Sequence, residues 1–504
     1  MKPILILIAI AALFYGIWHI NNPYPSPLNW DIWEHQTVIN AIRGGAFALL
    51  PSQLSDTFRF DGYTTLFHVL IAGIQSILHI QNIPGFWWIA EGIFFVLTTL
   101  ATYAFVYAIT KNRLAAFAGG ILSAGFFESA VAFTTLFLLP QTVAALIWVV
   151  GMTVVVTQKT KQKKLLAAFI TTLVILPFHA IVGTLGAVYL FIMAIEPKLN
   201  WLLVLIASYA IPTYLATHFG LAGLNAGEAQ YFNQTLPEKL TLFRQWYGYL
   251  PIPFLLLGLW KGNRTLTVML VASVGLLASP FPYVLKFVVI IRYIMIAVMA
   301  IGIGEYLQLL TSKTARYFGL GVLTAVTLLI FVTNTTVWKN PVVFRGIASH
   351  VSADEQEAAR ILKGRYGNNP HAFLISDPAT QYILEPLTGI NAQGGAYMTT
   401  ESRQALLDAL QSDTVEGFVR TLSRIQDGLH PKQQRAILFA VTSRTFTWME
   451  QDTNTKLSIA YNVWRANALS LDNNLMIQQW QHRFHLQEVY RNSSIVVFEI
   501  GATI

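Results

Sequence analysis

From Ile4 to about Thr335 the chain is a succession of apolar stretches separated by short loops, many of them basic, and this pattern confines that part to a bundle of membrane helices. Inside a bilayer every backbone N–H and C=O must find its partner within the protein, so long apolar runs have little choice but to be helical. Composition agrees: 12% of the 504 residues are charged and 54% are hydrophobic, whereas soluble domains carry about 25% charged residues. After Thr335 charge and turn residues return and persist to the end, which places a boundary near Trp338. The expected fold is therefore a polytopic α-helical membrane part, residues 1–338, followed by a C-terminal water-exposed α/β domain, residues 339–504.

The formal net charge is +8, yet acids and bases nearly cancel from Lys339 onward, so the excess sits in the membrane part. Clustered bases on a soluble surface would mark a nucleic-acid binder; bases in short loops between spans set topology instead, and no nucleic-acid partner is expected. They fall at Lys111 and Arg113, at Lys159 to Lys164, at Lys198, at Lys261 and Arg264, and at Lys313 and Arg316. With all of these loops cytoplasmic, eleven spans result: approximately 3–20, 86–110, 114–127, 132–157, 165–178, 180–195, 200–216, 249–260, 265–279, 284–311 and 317–335. An odd count puts the C-terminal domain on the extracytoplasmic side, with a plasma membrane as the simplest location.

Met1-Lys2 and the run Pro3 to Trp18 begin like a signal peptide. His19-Ile20-Asn21-Asn22-Pro23 stands where a small-residue cleavage site would be, so the segment is read as a retained first span. The absence of cysteine excludes disulfides, thiolate catalysis and Cys-ligated metals. Two long external loops remain, 21–85 and 217–248, and Thr64 to Ile80 in the first reads as an amphipathic helix lying on the membrane surface. In the C-terminal domain helices are expected at Ala353–Gly364, Pro378–Leu387, Arg403–Ile425 and Asn474–Phe484. Strands are expected at Ala372–Ser376 and Ala436–Thr442, with a closing hairpin formed by His485–Tyr490 and Ser494–Ile500.

The first loop carries Asp31-Ile32-Trp33-Glu34-His35, and on a helix starting near Asp31 the spacing brings Asp31, Glu34 and His35 to one face. The residues alone leave two readings: Asp31 caps the helix while Glu34 complements its dipole and His35 is interfacial, or the three form a polar site above the membrane. Glu128, at a span end, is either a functional acid or a snorkelling side chain. Arg292 lies deep in an apolar stretch with Lys286 six residues before it, and burying a cation there costs several kcal/mol unless an anion is near. His179, after Leu176-Pro177-Phe178, is a satisfied helix-end histidine or faces a cavity. His68 and His79 read as interfacial, and Glu91 and Glu305 receive no role. In the C-terminal domain Ser376-Asp377-Pro378-Ala379-Thr380 reads as a helix-capping turn, and Gly389 and Gly394-Gly395 lack phosphate-loop spacing.

At the first loop the chain resembles the GT-C superfamily of lipid-dependent glycosyltransferases, which includes oligosaccharyltransferase catalytic subunits, protein O-mannosyltransferases and aminoarabinose transferases. In that superfamily the first span leads into an external loop with an acidic motif of the form D-x-x-x-H or D-E, then a surface-lying helix, then the second span. Asp31 through His35, the stretch Gly62-Tyr63-Thr64-Thr65-Leu66-Phe67-His68 and the entry Phe86-Trp87-Trp88 follow that order. The resemblance implies a GT-C-like fold, with Asp31 as general base supported by Glu34 and His35, and Glu128 at the second acidic position. It also implies that Arg292 and Tyr293, with Lys286 and His179 as further substrate-binding candidates, meet the phosphate of a lipid-linked donor. An intraprotein pair of Arg292 with Glu128 or Asp31 is the alternative. Asp31, Glu128 and His35 would supply oxygen and nitrogen ligands for a divalent cation, Mg²⁺ or Mn²⁺. The W-W-D motif of oligosaccharyltransferases is not matched, since Trp87-Trp88 runs into Ile89, which speaks against Asn-glycosylation of sequons.

The expected function is transfer of a sugar from a polyprenyl-phosphate or polyprenyl-pyrophosphate donor to an extracytoplasmic protein, glycolipid or polysaccharide acceptor, with inversion. Loop 217–248, with Tyr231, Phe232, Trp246 and Tyr247, would cover the donor. A transporter or flippase of lipid-linked precursors is the alternative, although no pair of inverted halves is evident. A sensor would need a cytoplasmic output module, and the expected cytoplasmic loops are all short.

Overall fold

The computed structural model describes residues 2–22, 30–44, 66–126, 128, 136–195, 235–249, 251–278, 284–336, 351–367, 369, 372–392, 400–412, 414–418, 436–451 and 470–500. The chain divides into two compact units. One comprises Met1–Pro23, Thr64–Phe67 and Ile89–Asn340; the other comprises Tyr24–Tyr63, His68–Trp88 and Pro341–Ile504.

The chain opens with α1 (Lys2–Asn21), α2 (Trp30–Arg43), α3 (Leu66–Ile77), α4 (Ile83–Thr110), α5 (Arg113–Gly125), α6 (Pro140–Thr157), α7 (Lys161–Ile175) and α8 (Ala180–Ile195). It continues with α9 (Leu236–Tyr247), α10 (Pro251–Lys261), α11 (Arg264–Ala278), a 3₁₀ turn at Val284–Phe287, α12 (Val288–Leu309) and α13 (Lys313–Thr336). Five of these helices are long and apolar enough to cross a membrane: Pro3–Asn21, Ile83–Thr110, Pro140–Thr157, Val288–Leu309 and Lys313–Thr335. Arg113–Gly125, Ala180–Ile195, Pro251–Lys261 and Arg264–Ala278 are apolar but shorter. The span expected at 200–216 lies outside the described residues. The span expected at 132–157 becomes a helix only at Pro140, because Leu139 is extended and the Thr142 hydroxyl holds the preceding backbone, donating to the carbonyl of Phe137 at 2.7 Å.

Burial separates these helices. In α12 94% of the apolar window is buried inside the protein, whereas the figure for α13 is 22%, so α12 is the central helix and α13 presents most of its surface outward. Apolar-on-apolar contact gives no hydrophobic driving force in lipid, and close backbone approach takes its place. A Cβ at Gly258 of α10 would stand 1.9 Å from the Val298 carbonyl of α12, and one at Gly302 would stand 2.1 Å from the Phe254 carbonyl.

The helix α3, expected as a surface-lying amphipath, turns Leu66, Val69, Leu70, Ile74 and Ile77 outward while His68, Ile71 and Gln75 are buried. The outward face is mainly apolar, as membrane contact requires, while His68 and Gln75 turn toward protein together with Phe67 and Ile71.

In the second unit a five-stranded sheet is built from β1 (Ala372–Ile375), β2 (Asn391–Ala392), β3 (Ala436–Thr442), β4 (Gln487–Arg491) and β5 (Ile495–Ile500), in the order β2-β1-β3-β5-β4. β1 pairs in parallel with β2 and β3, and β5 pairs antiparallel with β3 and β4. Helices α14 (Ala353–Tyr366), α15 (Pro378–Thr388), α16 (Thr400–Gln411), α17 (Ser443–Gln451) and α18 (Leu475–Arg483) accompany it. Leu374, Leu438, Ala440 and Val497 pack with Ala358 and Leu362 of α14 in a buried core. The helix expected over Arg403–Ile425 is helical to Gln411 and again over 415–418, and residues 419–435 lie outside the described residues.

One local feature fixes the start of α15. Asp377, two residues after β1, accepts from the backbone N–H groups of Ala379 at 3.1 Å and Thr380 at 3.0 Å, and from the Thr445 hydroxyl at 2.8 Å. This N-cap ties the start of α15 to the carboxyl ends of the parallel strands β1 and β3.

Candidate functional site

The candidate residues gather into two polar clusters, one in each unit. In the membrane unit Glu128 follows α5, and Arg292 sits in the second turn of α12. Arg292 Nε lies 3.2 Å from Glu128 Oε1, and both side chains are fully buried. The guanidinium also donates through Nη2 to the carbonyls of Ser123 at 3.3 Å and Phe126 at 3.0 Å, the open end of α5. A cation is favoured there by the helix dipole. Arg292 Nη1 and Glu128 Oε2 have no hydrogen-bond partner among the described residues. Of the two sequence readings of Arg292, the structure contains the pair with Glu128.

Tyr247, at the end of α9, donates to Glu128 Oε1 at 2.7 Å. Trp246 beside it is fully buried, and its carbonyl accepts from Asn334 Nδ2 at 2.9 Å. Part of loop 217–248 is thus a helix whose end docks onto the buried acid, while Tyr231 and Phe232 lie outside the described residues. Burial lifts the Glu128 carboxyl above the usual range, against the opposing pull of Arg292 and the Tyr247 hydroxyl. Tyr293 is buried with Arg292 Cζ 5.5 Å from its ring centre. His179 lies elsewhere in this unit: Nδ1 accepts from Val182 N at 3.2 Å, so the ring caps α8 as a helix-end histidine. Burial and the Lys286 ammonium push its pKa down to about 3, which keeps it neutral.

The second cluster is built on α2. Asp31 stands in the first turn and is half-buried, so its charge complements the helix dipole, and Arg43 does the same in the last turn. Glu34, His35 and Gln36 are buried. The Tyr382 hydroxyl of α15 donates to Glu34 Oε2. Asn40 Nδ2 donates to the Pro386 carbonyl at 2.7 Å. On the side of α3, His35 Nδ1 is 3.0 Å from His68 Nε2, and Gln36 and Gln75 exchange amide hydrogen bonds of 3.1 and 2.9 Å. Trp87 Nε1 donates to Gln36 Oε1 at 2.9 Å.

His68, expected at the interface, is fully buried within the protein, and burial pushes its pKa down to about 3. One of the two ring nitrogens donates and the other accepts, according to the tautomers. Asp31, Glu34 and His35 lie on one helix as expected, and Glu34 and His35 turn to different partners. Tyr382 and Asn40 escaped the sequence reading because their partners lie 348 and 346 residues away and neither is an anomaly where it stands.

For a divalent cation the proposed ligands were Asp31, Glu128 and His35. Among the described residues no group of three or more His, Asp or Glu side chains is gathered as a metal site. His35 Nδ1 is engaged by His68, and Glu128 Oε1 by Arg292 and Tyr247. Two of the three expected ligands thus have other partners in this structure.

No protein-family model and no curated protein matches the sequence. Solved structures do match the fold. The oligosaccharyltransferase of Archaeoglobus fulgidus, solved with a tethered acceptor peptide containing an NVT sequon, aligns over 99% of this chain and 74% of its own at a TM-score of 0.56 and 10% identity. The arabinofuranosyltransferase AftD from Mycobacteria aligns over 98% of this chain at a TM-score of 0.53 and 14% identity, and the chain spans 40% of the length of AftD. ArnT from Cupriavidus metallidurans aligns over 99% of this chain and 98% of its own at a TM-score of 0.50 and 10% identity. This chain, with five helices long and apolar enough to cross a membrane among its described residues, shares the fold of these three solved structures.

Proposed function

We propose that the protein is an extracytoplasmically acting membrane glycosyltransferase that moves a sugar from a polyprenyl-phosphate or polyprenyl-pyrophosphate donor to a hydroxyl- or amine-bearing acceptor. The observation that carries this reading is a GT-C fold over 99% of the chain together with an acid in the first turn of α2. Asp31 is the general base. As the acceptor oxygen or nitrogen attacks the anomeric carbon, its proton passes to the Asp31 carboxylate. The bond from the anomeric carbon to the phosphate oxygen breaks, and its electron pair leaves with the lipid phosphate. A single displacement inverts the anomeric centre.

The leaving phosphate needs a fixed positive charge, and Arg292 is assigned that role with Lys286 as a second cation. Glu128 holds the guanidinium by one nitrogen, so it is oriented before the donor arrives, and preorganised charge of this kind is worth about a hundredfold or more in rate. Tyr293 lies against the guanidinium, and the end of α9 completes its surroundings through Tyr247.

Purified protein incubated with labelled polyprenyl-phosphate and polyprenyl-pyrophosphate sugars and a crude acceptor extract should release polyprenyl phosphate or pyrophosphate. Asp31→Asn should lower turnover at least a hundredfold with the protein still folded. Equal turnover of the two proteins would remove Asp31 from the mechanism. Movement of intact donor across liposomes without hydrolysis or transfer would instead identify a transporter. Parallel reactions with chelator and with added Mn²⁺ decide whether a cation is required.

A further inference from the structure

We infer that Tyr382 is a positioning residue for Asp31, acting from the C-terminal half of the chain through Glu34 and the helix α2. The inference rests on the reading of Asp31 as the base. It begins with helix geometry: Asp31 and Glu34 are three residues apart and share a face of α2, so whatever fixes Glu34 fixes the direction in which Asp31 projects. The Tyr382 hydroxyl donates to Glu34 Oε2, and both side chains are buried at 5% and 9% exposure, so water does not substitute for the contact. A hydrogen bond to a buried carboxylate is among the stronger ones available to a neutral donor.

A second contact sets the helix along its axis. The Pro386 carbonyl belongs to the last turn of α15, where helix carbonyls lack an intrahelical donor, and Gly389 ends the helix with φ 75°. Asn40 Nδ2 supplies the missing donor at 2.7 Å. Asn40 is itself held, since its Oδ1 accepts from Gln36 Nε2 at 2.8 Å, and Gln36 is pinned by Gln75 and Trp87. Glu34 and Asn40 are six residues apart on a helix of fourteen. Two fixed points at that separation determine both its rotation and its register against α15.

At its other end α15 is anchored by the Asp377 cap at the carboxyl ends of β1 and β3. The chain of contacts therefore runs from the sheet through α15 to α2 and its half-buried acid. Loss of the base's aim by about 1 Å is enough to cost on the order of a hundredfold in rate. Removal of one of two fixed points should cost less.

The test uses the full-length protein and the labelled polyprenyl-phosphate hexoses and pentoses of the transfer assay. Tyr382→Phe removes only the hydroxyl and is expected to lower kcat about tenfold with KM for the donor and the melting temperature unchanged. In an Asp31→Asn background the same change should have no further effect, because there is no base left to aim. Glu34→Gln, which keeps an acceptor oxygen for Tyr382, should retain more activity than Glu34→Ala. Tyr366→Phe, which deletes a comparable hydrogen bond to Glu499 at 2.9 Å, is the control and should turn over like wild type. Wild-type kcat in Tyr382→Phe, or the same tenfold loss with and without Asp31, would overturn the inference. Should no donor be turned over by the wild type, the reading of Asp31 as base fails, and amide hydrogen exchange then decides the positioning contact alone. Protection of residues 30–43 should drop at least tenfold in Tyr382→Phe and not in Tyr366→Phe; unchanged protection would overturn it.

Discussion

The two polar clusters solve one problem in opposite ways. Around Arg292 the answer is charge: a fully buried guanidinium faces a fully buried carboxylate, with a tyrosine hydroxyl and helix-end carbonyls filling the remaining positions. Around α2 the named partners are mostly neutral amides, imidazoles and hydroxyls, and each contact ties the helix to a neighbour. Charge in a low-dielectric surrounding is costly when unpaired, so the first arrangement is intolerant of losing one member. Neutral hydrogen bonds contribute about 1 kcal/mol each, and the second arrangement degrades in small steps.

The sharpest way to break this contrast is to delete one half of the buried ion pair. Arg292→Met leaves the Glu128 carboxylate without its cation and should destabilise the membrane unit by about 3–5 kcal/mol. Arg292→Met with Glu128→Gln should recover much of that loss; both are read by thermal unfolding in detergent. Equal stability of the single variant and wild type would show that the pair is solvated.

Glu385 of α15 gives a pH test on the other side. Its carboxyl is buried and pushed up to about 8, while its Oε1 accepts from Ala392 N at 3.3 Å. The folded pKa is raised above that of the unfolded chain, so the stability it brings is fully present below about pH 4.5 and is lost as pH rises toward 8. Melting temperature should therefore fall between pH 5 and pH 8.5, and Glu385→Gln should flatten that slope. An unchanged slope would assign the dependence to other groups.

Tyr247→Phe removes a donor from a buried carboxylate and should cost about 1.5–3 kcal/mol. Limited proteolysis of α9 is the second measurement, because the hydroxyl is what joins that helix end to Glu128. The smallest effect is expected for Asn40→Ala, about 1 kcal/mol, since only the Pro386 carbonyl and the Gln36 amide lose a partner. A loss as large as that of Arg292→Met would erase the contrast between the clusters.

Much of the architecture was legible because apolar periodicity is a local property. Helices at Ala180–Ile195 and Lys2–Asn21, the strand at Ala436–Thr442 and the cap at Asn474 stand where composition and capping residues put them. Arg292 and Glu128 were legible too, as charges in apolar surroundings, although their mutual pairing was one of two open readings. The contact of His68 with His35 was not legible, because nothing local announces a second imidazole from α2. The start of α6 at Pro140 was misjudged because the residues before it are as apolar as those within it, and a hydroxyl bridge from Thr142 decides the boundary.

By itself the sequence determined that the protein crosses a membrane repeatedly, that a more charged, mixed α/β third follows, and that Asp31, Glu34 and His35 share a short helix. These follow from bilayer thickness, backbone hydrogen bonding and helical spacing, which act over a few turns. Only the tertiary structure decided that Arg292 meets Glu128, that His35 meets His68, and that Tyr382 and Asn40 lock α2 to α15. Those contacts join residues up to 348 positions apart, and their free energy depends on burial and on partner geometry that no local pattern records.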